Sequence, residues 1–293
     1  MINKTNLKSK QQGVYKTIDT LPKNRMAEVY YRKALDLETE KLIDFIYKEV
    51  EKRYKPIVPS AVNNSESIQE FFKRLKGKIL KTFLSNSEKI IKTWWKKLST
   101  ISKAKIEKSF IEVGIKAGMK YNREFDKIVK LIIERNVGLI QNTTLQTINN
   151  IENIVYDGLT TGATLRSVEK DLSKQTHIAK DRIKRIARDQ SSKANSVLNE
   201  ITQRSYGVEF FEWSTSKDER VSTGYGGHKQ LEGKIYKWGD VNNYPIIDSY
   251  GHRGVPSQRV NCRCTAKAVL LEKDYEAKQL SDGSWEIRKG RIY

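Results

Sequence analysis

Cys262 and Cys264 flank a single arginine, and His228 and His252 precede them in the same glycine-rich stretch. Two imidazole nitrogens and two thiolates make a chemically adequate tetrahedral set for zinc. A small loop-rich segment also gains stability from such a cross-link. Cys-x-Cys is tighter than the usual two-to-four-residue gap of zinc fingers, so two other readings stay open. His228 can hydrogen-bond a loop backbone while the cysteines pack as small apolar groups, or Cys262 and Cys264 can form a disulfide. Two cysteines in 293 residues do not make a disulfide framework, which fits a reducing cytoplasm.

A second group lies upstream, in the run SKDERVS. Asp218 can tie down its loop by accepting backbone N–H bonds, and Arg220 can pair with a carboxylate in a bidentate geometry. An acid/base pair of Asp218 and His228 is the catalytic alternative, and it requires that the two meet in a cleft. Fold maintenance is the preferred reading. Arg188, Asp189 and Gln190 fall in the middle of a helical pattern whose buried stripe is Ile183, Ile186, Ala187, Ala194 and Val197. Arg188 lies beside that stripe, where it either reaches the small C-terminal module or faces solvent.

The third group is a lysine-rich run: Lys89, Lys92, Lys96, Lys97, Lys103 and Lys105, with Trp94 and Trp95 among them. Lysines beside phosphates release condensed counterions, and tryptophan can stack on unpaired bases. With Ile90, Ile91, Leu98 and Ile101 the tryptophans fit a packed helix stripe better, so the lysines are the DNA candidates. The whole chain carries 55 Lys+Arg against 35 Asp+Glu, a net charge of +20. Such a surplus repels itself unless an acidic partner neutralises it, and nucleic acid is the first choice of partner. No apolar run approaches the roughly 18–20 residues that span a bilayer. The polar start, MINKTNLKSKQQ, has no apolar core of a secretory signal.

The elements that must position these groups follow from periodicity. Residues 1–22 are polar and read as a flexible arm. Asn24 is a candidate N-cap for a long amphipathic helix that ends before Pro56, and PIVPSAVNNSES reads as a loop. One helix starts near Ser67, and a basic one follows from about Glu88. Helical signals continue through 106–134 and 139–159. Thr164 caps a short helix to Leu172, and a last long helix covers about 178–206, ending at Gly207. From there VEFFEW, KIYKW and TAKAVLL read as strands joined by loops. Residues 272–293 are a tail that either forms a hairpin around Asp282-Gly283 or stays disordered. The fold class is mainly α with a small C-terminal α+β module: long amphipathic helices, then a loop-rich, partly β domain.

Four segments in order carry a resemblance. These are Ala187–Gln190 (ARDQ), Trp213–Val221 (WSTSKDERV), His228–Gly233 and the closing Cys262–Cys264. Together they resemble the phage head morphogenesis family typified by protein F of phage Mu. The resemblance covers about 136–270 and makes Trp213, Asp218, Arg220 and Gly233 motif residues. It implies a minor capsid protein inside the phage head, in contact with the portal protein and with double-stranded DNA regardless of sequence. Localisation in the virion, with host cytoplasm during assembly, follows from the same resemblance. Some members carry Cys-x-x-Cys after the Asp-x-Arg-Val segment and a His just before Cys-Arg-Cys. This chain has Ser222-Thr223-Gly224-Tyr225 and Gln258-Arg259-Val260-Asn261 there.

The expected organisation is therefore an arm (1–22), a variable helical domain (23–135), a head-morphogenesis domain (136–271, helical to about 206) and a tail (272–293). The expected function is structural, with no membrane anchor and no enzyme activity. The rival is a metal-dependent nuclease built on GHRGVPSQRVNCRC, which lacks a clear acidic cluster.

Overall fold

A computed structural model describes residues 16–18, 25–53, 68–115, 123–271 and 274–290. Four long helices precede five of the six strands of an antiparallel sheet, so the molecule is mainly α with a small α+β module. The helices are α1 (Arg25–Arg53), α2 (Ile68–Glu112), α3 (Arg123–Thr161) and α4 (Leu165–Ser205). The strands are β1 (Lys16–Ile18), β2 (Phe210–Ser214), β3 (Ile235–Lys237), β4 (Thr265–Leu270), β5 (Tyr275–Gln279) and β6 (Trp285–Lys289). Asn24, the loop 56–67 and the arm apart from β1 lie outside the described residues.

Two pairs of expected helices are continuous. α2 joins the helix from Ser67 to the basic one, and α4 joins the Thr164-capped turn to the last helix. The polar joints, SNS at 85–87 and SKQTH at 173–177, contain neither Gly nor Pro, so nothing there interrupts the backbone ladder. Thr164 does cap α4, its Oγ1 accepting the Ser167 N–H at 3.3 Å. The expected helix across 106–134 is broken instead. Gly114, at φ +88°, ends α2: Ile115 N–H donates to Phe110 O and Gly114 N–H to Ile111 O. Gly207, at φ +78°, ends α4 by the same pair of bonds, Val208 N–H to Gln203 O and Gly207 N–H to Arg204 O. This is the Schellman arrangement, which needs a residue that tolerates the left-handed conformation.

The described residues cluster into two compact units. The helical unit takes Met26–Lys96 and Lys127–Arg188. Its centre is Trp94, fully buried and stacked on Tyr31 at a centroid distance of 4.5 Å. The buried Tyr31 hydroxyl donates to Asn136 Oδ1 at 2.9 Å, so its polar tip is satisfied. Trp95 is buried as well, which fits the packed stripe expected of both tryptophans.

The second unit takes the described parts of Met1–Arg25, Lys97–Asp126 and Asp189–Tyr293. Its six strands are ordered β1-β4-β2-β3-β6-β5, with every described pairing antiparallel. The register sets Trp213 opposite Ala266 and Phe211 opposite Ala268. One face of the sheet buries Phe211, Trp213, Tyr236 and Trp238 together with Cys262 and Cys264. Each large side chain buried there contributes about 1.5–3 kcal/mol relative to exposure. Two smaller clusters accompany it. Phe210, Ile235, Val269 and Ile287 pack with Trp285, and Ile18, Ile106, Phe110, Val208 and Ala268 form another group.

Two features differ from the sequence expectation. Residues 16–18, within the expected arm, pair with β4 as β1. The tail takes the hairpin form: β5 and β6 turn at Asp282-Gly283, with Ile287 in the core. The core of this unit thus draws on Ile18, Ile106, Phe110 and Ile287, all outside 136–271.

Candidate metal centre

His228 enters from a tight loop. At Gly226 a Cβ would meet the Asp248 carbonyl oxygen at 2.2 Å, so only glycine lets the loop pass. His228 N–H then donates to Ser222 Oγ at 3.1 Å, which sets the residue at the start of a 3-10 turn. The ring is buried, edge-on to Trp213 at 5.3 Å. Nε2 lies 3.0 Å from the Ile247 carbonyl oxygen, which can only accept. The proton therefore sits on Nε2, and Nδ1 presents a lone pair.

That lone pair faces both cysteines. Nδ1 is 3.3 Å from Cys262 Sγ and 3.5 Å from Cys264 Sγ. The three side chains are all buried and their ligand atoms lie within 4.8 Å of one another. Neither cysteine is in a disulfide, so the disulfide reading is overturned. A tetrahedral zinc separates its N and S ligand atoms by about 3.5 Å, which matches the spacing here. The surroundings suit a thiolate. Cys262 Sγ accepts N–H bonds from Ser257 at 3.3 Å and Cys264 at 3.4 Å. The neighbouring Cys264 side chain pulls the Cys262 thiol far below its ordinary range. The donor set therefore fits a metal ion, with the His228 tautomer held by the backbone carbonyl as metal-binding histidines require. His252 stands apart: its side chain is 71% exposed and its Nδ1 contacts Asp248 Oδ2 at 2.8 Å.

The loop that delivers the cysteines is fastened to α4 by a polar seam. Asp189 Oδ1 accepts the Asn261 N–H at 3.0 Å, and its Oδ2 pairs with Lys193 Nζ at 2.7 Å. Gln190 is buried beside it and donates to Asp189 Oδ2. The single Ser192 hydroxyl lies within hydrogen-bond distance of both the Cys262 carbonyl and Ser257 Oγ, and Ser196 donates to the Pro256 carbonyl. Ser257 holds φ +71° and donates from Oγ to the Cys264 carbonyl. Further along, Asn199 and Gln203 donate to the Ala266 carbonyl, and Gln203 Oε1 accepts from Trp238 Nε1 at 2.8 Å. The residues Asp189, Ser192, Ser196, Asn199 and Gln203 recur at three- and four-residue steps, one helix face. Of these five, Asp189 alone stands out in the sequence, through its motif; the signal for the other four is the same periodicity applied to small polar residues.

The other motif residues sit around the centre. Trp213 and Gly233 are locked together, Gly233 N–H donating to the Trp213 carbonyl at 2.8 Å. Asp218 accepts the Arg220 N–H at 3.1 Å, an Asx-type contact. Its bidentate partner is Arg263, not Arg220. Arg220 is 72% exposed and 3.6 Å from the carboxylate. The Arg263 guanidinium holds the Asp218 carboxyl below the usual carboxylate range. With Asp218 bound to Arg263 and His228 bound to Ile247 and the thiols, no hydrogen bond joins these two. Arg188 is exposed. On α2, Lys89, Lys92, Lys96, Lys97 and Lys105 are exposed and Lys103 is half-buried; Lys92 pairs with Glu88.

Residues 149–267 match the family of Phage Mu protein F like proteins. The matched segment holds every motif residue named above, so the resemblance read from those motifs is borne out. The F-like segment runs from the second half of α3 into β4 and contains His228, Cys262 and Cys264. Among curated relatives, an uncharacterized protein of Haemophilus influenzae (strain ATCC 51907 / DSM 11121 / KW20 / Rd) is 30% identical over 162 residues. That match covers 54% of this chain and 33% of the relative. The NAD(+)--arginine ADP-ribosyltransferase EFV of Enterococcus faecalis (strain ATCC 700802 / V583) is 27% identical over 151 residues, 45% of this chain and 29% of that protein. The chain thus spans a third or less of the length of these relatives. No solved structure matches it. Among the described residues, no helix is long and apolar enough to cross a membrane.

Proposed function

We propose that this protein is a structural, non-enzymatic component of a phage head, a minor capsid protein that acts in head assembly. The observation that carries the reading is the F-like match over 149–267. The geometry of the motif residues supports it, because Asp189, Trp213, Asp218 and Gly233 bind backbone and neighbouring side chains. The partners in this reading are the portal protein and packaged double-stranded DNA, the latter through the lysines of α2 and the surplus of +20. Its place is the virion, reached from the host cytoplasm during assembly.

A structural zinc belongs to the same reading. His228, Cys262 and Cys264 would hold it, and the ion would cross-link the 228 loop to the 262–264 loop. The bound ion supplies charge compensation for two buried thiolates. The domain organisation that accompanies the proposal is a variable helical part ahead of a head-morphogenesis domain.

The nuclease alternative is weaker. His252 has Asp248 as its acidic partner, and His228-Cys262-Cys264 is the only metal-capable group among the described residues. The transferase name of the Enterococcus relative is not carried over, since the match covers 29% of that protein. Mass spectrometry of purified virions tests the function. Presence at a fixed ratio to the portal protein supports it, and absence from particles that contain the portal defeats it.

A further inference from the structure

Beside the three ligands lies a cleft of about 180 Å³. Its charged lining residues, other than the ligands, are Arg220, Arg259 and Arg263; the rest are two serines, two valines and an asparagine. None of these offers an imidazole, thiolate or carboxylate to complete a tetrahedron, and His252 is engaged with Asp248. Three protein ligands with a fourth position left to an exogenous group is the pattern of an open metal site.

The electrostatics of the cleft select the group. A divalent metal is balanced by the two thiolates. Asp218 offsets one arginine through its bidentate bond to Arg263. Arg220 and Arg259 remain as surplus charge. Arg259 is anchored by a 3.2 Å bond from NH1 to Ser222 Oγ, and Ser222 in turn accepts the His228 N–H. The residue that positions the histidine therefore also positions an arginine. A planar guanidinium has five donors in a fixed fork suited to phosphate oxygens. Two surplus cations match a dianion better than a carboxylate.

We infer that the F-like segment binds a phosphate group in this cleft, with one oxygen on the metal's fourth position and the others on Arg220 and Arg259. The inference rests on the metal reading above. The phosphate is either free or the monoester of a nucleotide.

Cobalt(II) in place of zinc reports both points in the full chain. Thiolate-to-cobalt charge-transfer absorption shows that the triad binds metal; its absence removes the metal reading and this inference with it. Titration with inorganic phosphate should then shift the ligand-field bands saturably, and acetate should do so far more weakly. Thymidine 5′-monophosphate is the second arm: tighter binding than inorganic phosphate assigns the site to a monoester, and weaker binding assigns it to free phosphate. Arg220→Gln and Arg259→Gln should each weaken phosphate by about tenfold, the effect of removing one charge-assisted hydrogen bond. Arg220 is exposed, so its variant keeps the fold. Charge-transfer bands with ligand-field bands indifferent to phosphate would overturn the phosphate site while leaving the metal in place. Equal response to acetate, or unchanged affinity in both arginine variants, would overturn it too.

Discussion

His228 has different partners on its two ring nitrogens, a carbonyl oxygen on one and two sulfurs on the other. One lone pair can take one S–H proton, so a metal ion satisfies this triangle better than two thiols do. Purified protein is expected to carry about one equivalent of zinc, and chelation should lower its melting temperature. Cys264→Ser should lose the metal and the chelator response together. Metal-free protein whose melting temperature ignores both treatments would defeat this. Asp282 makes a separate prediction. Lys234 and Ser284 hold its carboxyl down to about 2. A depressed carboxylate contributes stability that is present above its unfolded value and lost as pH falls through its folded value. Stability should therefore drop between about pH 4 and pH 2, and Asp282→Asn should flatten that part of the profile. The side chain is 46% exposed, so the effect stays below about 1 kcal/mol after solvent screening. Urea unfolding at several pH values measures it.

At the scale of elements, α4 and the sheet are joined by amides as well as by apolar contact. Gln203 is fully buried and bridges the Trp238 indole and the Ala266 carbonyl. Gln203→Ala leaves the buried Trp238 indole N–H without its partner, at a cost of about 1–3 kcal/mol, while the Ala266 carbonyl keeps its bond from Asn199. Denaturant midpoints of the variant against the parent read this directly, and a change under about 0.5 kcal/mol, typical of plain surface sites, would show that the amide seam is dispensable. The strands themselves were legible because VEFFEW, KIYKW and TAKAVLL are short, apolar and bounded by turn residues. β1 was not legible. Three residues, KTI, carry no period, and their pairing is set by the open edge of β4.

For the whole molecule, the surplus of +20 and the helix lysines predict salt-dependent DNA binding without sequence preference. At 3.6 residues per turn, Lys89, Lys92, Lys96 and Lys103 share a sector of about 60° on α2, whereas Lys97 and Lys105 fall outside it. Replacing those four by Gln should lower the slope of log affinity against log salt by about 0.9 for each phosphate that these lysines neutralise. Replacing Lys97 and Lys105 should change it less. Affinity that ignores salt, or a slope unaffected by the fourfold substitution, would count against α2 as the DNA surface.

The helices, the strands after Gly207, the buried tryptophans and the F-like motifs were written in periodicity, turn residues and residue order, which are local properties of a chain. The tertiary structure alone decided which groups meet. It removed His252 from the cysteines and gave it to Asp248, and it made Arg263 rather than Arg220 the bidentate partner of Asp218. It also fastened the cysteine loop through Asp189, Ser192 and Ser196, far away in sequence. The reason is physical. Backbone preferences act over a few residues, whereas a ligand set depends on how loops more than thirty residues apart are held, and those distances are set by packing on β2, β4 and α4.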